Sequence, residues 1–266
     1  MKPFLKWAGG KYKIINRILE VLPKGHQLIE PIAASGAVFL NTNYKEYLIA
    51  DSNADLITLY KQIQEGGNSF IDFASELFTP KNNTEDAFYA LREEFNHISD
   101  PSKKSAIFIY LNRHCFNGLC RYNSKGIFNV PFGRYSSPSF PKAEILNFYQ
   151  KSEHAVFEVS DFRNTMAKAS KESVVYCDPP YAPLTTTANF SAYTQDGFNA
   201  GDQEALAKCA KELSSNGIPV IISNHDTIYT RNIYSDAAIV SFDVQRFISS
   251  KANARGKAAE LIALYT

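Results

Sequence analysis

At 266 residues, with 45% hydrophobic residues and a formal net charge of +1, the chain can hold one α/β domain of ordinary size plus an insertion. It has no apolar run of membrane-spanning length, and its start, Met1-Lys2-Pro3-Phe4-Leu5-Lys6, is broken by charge, so a cytoplasmic protein without membrane association is expected. The near-zero charge excludes a polybasic tail but not a nucleic-acid-binding face, which needs only a local excess.

In chain order, Ala8-Gly9-Gly10-Lys11 resembles the tail of a phosphate loop. It lacks the upstream glycine, and Tyr12 stands where a Ser or Thr would hold magnesium, so a Walker site is rejected. Short β-rich runs at 27–30 and 47–51 predict buried strands, with a helix at 35–42 between them. The small residues of Glu30-Pro31-Ile32-Ala33-Ala34-Ser35-Gly36-Ala37-Val38-Phe39 let a ligand lie close to the backbone at the strand's carboxyl end. Asp51, closing the next strand, is placed for ribose hydroxyls, so an adenosine-containing cofactor is expected. The missing G-x-G-x-x-G argues against a dinucleotide.

Leu56, Ile57, Tyr60 and Ile63 recur at helical spacing after the capping residue Asn53. From about 66 to 140 the pattern changes: helical stretches around 70–78, 84–97 and 103–111 precede a hairpin-like stretch at 121–128, with turn chemistry at 123–126. Lys103, Lys104, Arg113, Arg121, Lys125 and Arg134 fall here, and no acidic residue occurs from Lys103 to Tyr135. Cys115 and Cys120 flank Phe116-Asn117-Gly118-Leu119, fit no zinc spacing and have no second pair, so no metal and no disulfide are expected. Strands then resume at 155–159, 173–177 and 219–223, with a helix at 203–213. Two further β-rich runs at 238–244 and 261–265 are joined by a polar, basic loop at 249–257. The sheet is therefore built from both ends of the chain, around the basic block.

Asp178-Pro179-Pro180-Tyr181 directly follows the apolar run Val174-Val175-Tyr176-Cys177. A buried parallel strand would deliver the carboxylate to the sheet's carboxyl edge, and the prolines force the backbone out in a stiff turn. The turn offers one carboxylate, the carbonyl of Pro179 and the ring of Tyr181. That set suits a flat aromatic ring with an exocyclic amino group: two acceptors for its hydrogens and a face to stack on.

Phe4-Leu5-Lys6-Trp7-Ala8-Gly9-Gly10-Lys11, Glu30 through Phe39, Asp51, Asn117-Gly118-Leu119-Cys120-Arg121-Tyr122-Asn123, Phe128-Asn129-Val130-Pro131-Phe132-Gly133-Arg134-Tyr135 and the Asp-Pro-Pro-Tyr tetrapeptide occur in one order over essentially the whole chain. In this the chain resembles the DNA adenine-N6 methyltransferases of the Dam type, which methylate GATC. The resemblance implies a Rossmann-like S-adenosylmethionine-dependent α/β domain, its sheet mostly parallel with the last strand antiparallel, formed by residues 1–55 and 145–266. Residues 56–144 would be an inserted target-recognition domain of helices and a β-hairpin. It also implies S-adenosylmethionine as methyl donor, double-stranded DNA as substrate, and base flipping; a monomer is the default.

By position, the resemblance puts Trp7 and Lys11 on the methionine side of the cofactor, Asp51 on its ribose and Phe162 on its adenine, with Ile32, Ala34, Ser35 and Asp178 around it. Asp178, Pro179 and Tyr181 become the catalytic residues. Arg121 would read the outer guanine of the half-site, with Leu119 and Pro131 near the thymine and Lys6 at a base of the other end. Phe116 and Asn117 would fill the gap left by the flipped base, and Arg113, Asn123, Arg134 and Tyr135 would contact phosphates. In one respect the chain departs from the family: Ile32 and Ala34 stand where an aromatic residue and a glycine are usual. A weakened cofactor site is the expectation, and a DNA-binding homologue that methylates little is the reading from another class. Cytosine-N4 methylation is the rival chemistry, since that base also carries an exocyclic amine.

Overall fold

The computed structural model describes residues 1–182, 198–245 and 257–266. Phe190 and Tyr193, for which the sequence favours plain packing, lie outside the described residues, as does most of the polar loop at 249–257. The strands are β1 (Gln27–Glu30), β2 (Glu46–Asp51), β3 (Ala155–Val159), β4 (Ser173–Cys177), β5 (Val220–His225), β6 (Ala238–Gln245) and β7 (Lys257–Tyr265). The helices are α1 (Ile15–Val21), α2 (Ala37–Asn41), α3 (Ala54–Ser75), α4 (Glu85–His97), α5 (Pro101–His114), α6 (Lys142–Lys151), α7 (Phe162–Met166), α8 (Ala200–Ser215) and α9 (Ile228–Ile233). No helix among the described residues is long and apolar enough to cross a membrane.

The seven strands form one sheet in the order β3-β2-β1-β4-β5-β7-β6. The neighbours from β3 through β5 pair in parallel, whereas β7 runs antiparallel to both β5 and β6. Every residue of β4 is buried, as expected of a strand covered on both faces, which explains its unbroken apolar run. After β1 the chain builds outward through β2 and β3, then crosses back to lay β4 beside β1. This reversal opens a crevice beyond the carboxyl ends of β1 and β4, where such sheets bind ligands.

Helix α3 starts where Asn53 accepts the Leu56 N–H at 3.0 Å. The helix expected after Asn53 and the one expected around 70–78 are one element broken at Gly67, whose φ is +49°. A β-carbon there would lie 2.9 Å from the Tyr149 ring, so glycine is required by both conformation and space. The first half of α3 packs on the sheet and its partner α5 carries the core onward, so Tyr60, Ile63, Phe88, Phe95 and Phe108 share one apolar cluster with Leu28 and Ile49. The helix expected at 35–42 starts only at Ala37, because Gly36 at its N-cap takes a left-handed φ of +67°.

The expected β-hairpin at 121–128 is a turn closed by a single bridge between Tyr122 and Phe128. The two arms pair through their backbones, Asn123 N–H to the Ile127 carbonyl at 2.9 Å and Asn129 N–H to the Arg121 carbonyl at 3.2 Å, so the Phe128 backbone groups face away from the partner arm. The Asn96 side chain takes both the N–H and the carbonyl of Phe128, at 2.9 and 3.2 Å, and the Tyr122 hydroxyl is drawn to Asp55 at 2.8 Å. These contacts fasten the short hairpin to α4 and to the start of α3.

Candidate active site

Three acids stand at the carboxyl ends of adjacent strands: Glu30 on β1, Asp51 on β2 and Asp178 just after β4. Glu30 and Asp178 line one pocket with Gly10, Lys11, Ile32, Ala34 and Ser35. Asp51 lies behind it and ties the loop in place, accepting the Ala34 N–H at 3.1 Å and the Asn53 N–H at 2.9 Å. The hydroxyl of Tyr60 holds the carbonyl of Ala34 from the other side. Ala34 is thereby pinned at a φ of +47°, a left-handed conformation that glycine adopts freely and alanine does not.

Asp178 is buried beside Lys11, the Nζ of which lies 2.9 Å from its Oδ1, and the Ser223 hydroxyl donates to the same oxygen at 2.9 Å. Burial pushes the Asp178 carboxyl above its ordinary range, and Lys11 and Ser223 oppose that push. No hydrogen bond from the described residues reaches Oδ2 or the carbonyl of Pro179. The Lys11 ammonium also sits 4.3 Å from the centre of the Tyr181 ring, so one cation touches both carboxylate and aromatic face.

A buried polar network fixes the proline corner. Gln203 of α8 donates to the Pro180 carbonyl at 2.7 Å, Asn224 of β5 accepts the Ala182 N–H at 3.0 Å, and His225 Nδ1 meets the Ala182 carbonyl at 2.7 Å. Asn224 also donates to Gln203 and to the Tyr234 hydroxyl, each at 3.0 Å, so each member of the network orients another. Ser223-Asn224-His225 was passed over in the sequence. The signal was there: polar residues closing a fully buried strand, the same pattern that marks Asp178.

Glu30 is 2% exposed, and its Oε1 has no hydrogen-bond partner. Burial raises its carboxyl to about 8, with the Phe39 N–H acting against the rise and the charge of Asp178 adding to it. It appears in the sequence only as part of a motif, although an acid ending an apolar strand is itself a signal. Phe162 is buried with Ile32 and Phe198 in the second core cluster, off the pocket lining, and its ring centre is 5.4 Å from that of Phe198. Trp7 is partly buried on the main core and accepts the Gly10 N–H at 3.1 Å.

The basic face gathers around the N-terminal segment and the end of α5. Asn112 holds both backbone groups of Lys6, at 2.9 and 2.7 Å, and also the carbonyl of Gly118 at 3.2 Å. Gly118 has no room for a β-carbon, which would fall 2.3 Å from the Lys6 side chain. The Lys6 ammonium lies 4.2 Å over the Tyr135 ring, and the Tyr135 hydroxyl accepts the Asn117 N–H at 3.0 Å. Lys6, Asn117 and Tyr135 thus form one group, with Phe116 exposed next to it and Arg113 close enough to depress the Lys6 amine further after burial.

Three expected contacts sit differently. Asn123 spends its side-chain oxygen on the turn, accepting from Lys125 and Ile127 at 2.9 and 3.1 Å. The exposed Arg134 is paired with Glu85 at 2.9 Å, and Arg121 is bound twice to Asn129, at 2.8 and 3.2 Å. Among the described residues no cluster of His, Cys, Asp or Glu is placed to hold a metal ion.

The strand order, the ligand crevice at β1 and β4 and the acidic proline corner define an α/β methyltransferase. The model of the D12 class N6 adenine-specific DNA methyltransferases matches residues 7–248. A DNA adenine methylase of Serratia marcescens is 51% identical over 99% of this chain and 98% of its own length. Those of Salmonella typhi and Vibrio cholerae serotype O1 are 50% and 46% identical, over 99% and 100% of this chain and 95% and 96% of theirs. The chain belongs to the D12 class of N6 adenine-specific DNA methyltransferases, and within it to the Dam type. Its chemistry is methyl transfer to the amino group of adenine in DNA, which sets aside the cytosine alternative.

Proposed function

We propose that the enzyme carries a methyl group from S-adenosylmethionine to N6 of an adenine flipped out of a GATC site in double-stranded DNA, acting in the bacterial cytoplasm or from a phage. The observation that carries this reading is the pair of uncommitted acceptors, Asp178 Oδ2 and the Pro179 carbonyl, on the corner that also carries the Tyr181 ring, with Asp178 lining the pocket. The pocket fits such a donor. Of the residues that line it, the partnerless Glu30 Oε1 would hold the ammonium, Lys11 the methionine end, and Ile32, Ala34 and Ser35 the nucleoside, while Trp7, Asp51 and Phe162 lie off the lining and would reach the methionine end, ribose and adenine only from its edge. When bound, S-adenosylmethionine supplies a sulfonium methyl already activated for transfer to nitrogen.

What remains for the protein is the amino group, whose lone pair is delocalised into the base. Acceptors aimed at its two hydrogens favour a pyramidal nitrogen and stabilise the positive charge that develops on it. Asp178 and Pro179 act as preorganised acceptors, since Lys11, Ser223 and Gln203 fix the corner before substrate arrives. Taking the base out of the duplex costs a few kcal/mol, and stacking on Tyr181 returns part of that. Phe116 and Asn117 stand at the duplex side to occupy the gap.

Ala34 makes the cofactor loop testable. A left-handed backbone costs a residue other than glycine roughly 1–2 kcal/mol, and glycine returns part of this through the freedom of its unfolded chain. Ala34→Gly is expected to leave stability level or up to about 1 kcal/mol higher and to tighten the cofactor by up to about tenfold. Calorimetric titration with S-adenosylhomocysteine measures it, and equal dissociation constants would remove the steric argument.

Recognition is tested by the transfer of labelled methyl to a GATC duplex and to duplexes with one pair altered. The product should be N6-methyladenine on GATC alone, and equal labelling of all duplexes would end the sequence assignment. The Asn129 contacts hold the Arg121 guanidinium for a guanine edge, so Arg121→Ala should lose about 1–3 kcal/mol of discrimination at one base pair. The exposed Arg134 ion pair can be exchanged for a phosphate. Arg134→Ala should weaken every duplex alike and shallow the salt dependence by about one charge.

A further inference from the structure

Tyr181 presents a hydroxyl as well as a ring, and the reaction described above uses the ring alone. The hydroxyl donates to Oε2 of Glu260 at 3.0 Å. Glu260 lies on β7 directly opposite His225 in the antiparallel ladder with β5. The His225 ring meets the Tyr181 ring edge-on, with centres 4.6 Å apart and planes at 76°, while its Nδ1 holds the next backbone carbonyl, that of Ala182. One register pair of the sheet therefore grips Tyr181 twice, at the tip and along an edge.

The ladder is held without this carboxylate, because β5 and β7 are joined through their backbones and Leu261, Ile262 and Ala263 are buried on the two faces of β7. A tyrosine ring held only by packing can turn about its side-chain bonds, and a hydrogen bond at its far end stops that motion. A charged acceptor makes this bond stronger than a neutral one would. The Tyr181 hydroxyl, pushed well above its ordinary value by burial and by the neighbouring carboxylates, stays a donor throughout the working range.

We propose that Glu260 is a positioning residue for methyl transfer: by accepting the Tyr181 hydroxyl proton it fixes, with His225, the plane on which the target adenine stacks. This rests on the reading of Tyr181 as the stacking surface. The orientation matters because the same corner carries Asp178, so a ring turned away from its bound position would offset the amino group from both acceptors.

The test uses the full-length enzyme, a GATC duplex carrying 2-aminopurine at the target position, and S-adenosylhomocysteine to prevent turnover. A second duplex with adenine serves for single-turnover methylation. Tyr181→Phe and Glu260→Leu are each expected to lower the single-turnover rate about tenfold and to reduce the 2-aminopurine signal, with duplex and cofactor affinities kept within about twofold. The double variant should be no slower than either single one, and Glu260→Gln, which keeps an acceptor oxygen, should restore the rate to within about threefold of the parent.

Effects that multiply in the double variant, or a Glu260→Leu enzyme as fast as the parent, would overturn the proposal. Tyr181→Phe leaves β7 intact, so parental speed in that variant refutes it even where Glu260 variants do not fold. A parent enzyme that methylates GATC yet gives no 2-aminopurine signal would instead refute the stacking reading on which the proposal stands.

Discussion

Asp178→Asn is expected to lower kcat by about a thousandfold while the protein folds and binds duplex and cofactor within a few-fold of the parent. The argument lies in which oxygen is already engaged. Lys11 and Ser223 both donate to Oδ1, so an asparagine must turn its carbonyl oxygen toward them. Its amide nitrogen then falls where Oδ2 stood and points hydrogens at the hydrogens of the target amine. Donor meets donor at the place where charge must be stabilised, so an acceptor becomes a repulsion. Removal of a single preorganised partner at a developing charge costs about 10²–10³ in kcat, and inversion of its polarity lies at the upper end. Asp178→Ala is a poorer probe. It strands the Lys11 ammonium, whose side chain is only 7% exposed, and breaking a buried pair this way costs about 3–5 kcal/mol of stability. Single-turnover methylation with saturating cofactor decides the matter, and a rate within tenfold of the parent would remove Asp178 from the reaction.

How much of this was legible in the chain depends on the distance over which each signal acts. Asp178, Asp51 and the small-residue loop announce themselves locally, because a buried strand ending in an acid says where it ends and what it carries there. The antiparallel direction of β7 is implied only by the resemblance, whereas the uninterrupted core strand β4, the two late β-rich runs and the basic block follow from periodicity and composition in the same way. The support of the proline corner does not, since Gln203, Asn224 and His225 come from segments far along the chain and meet it only through the sheet. The hairpin at 121–128 is legible from its turn residues and forms with one antiparallel bridge, but what anchors it is not legible. An asparagine on α4, 32 residues earlier, takes the outward-facing N–H and carbonyl of Phe128 and fixes the hairpin to the helices. The strain at Ala34 was visible only as an unusual methyl. Its cause, a left-handed backbone held by Asp51 and Tyr60, belongs to the folded chain.

Glu30 makes the free enzyme less stable as the solution becomes more alkaline, and Glu30→Gln should remove most of that slope. Its carboxyl titrates at about 8 in the folded chain against an ordinary value of 4.5, because burial strips it of water and Asp178 adds like charge. The folded state therefore holds this proton more tightly than the unfolded one, and between pH 4.5 and about 8 it binds more protons. Stability contributed by the neutral carboxyl is fully present below 4.5 and is lost as the pH rises through about 8. At about 1.4 kcal/mol for each power of ten in acidity, the whole window is worth on the order of 5 kcal/mol. Glutamine has nearly the same volume and no proton to lose, though its amide must also do without a partner for one polar atom. Thermal melting of the two proteins without ligand should give midpoints within about 2 °C at pH 5, and at pH 8.5 a midpoint higher by about 5 °C or more for Glu30→Gln. The slope should also shrink in the parent once a cationic ligand is bound, since an ammonium beside Oε1 compensates the charge that burial penalises. Parallel melting curves for parent and variant across this range would mean that Glu30 keeps its charge in the folded enzyme by drawing on water, and the dry carboxyl at the head of the pocket would have to be abandoned.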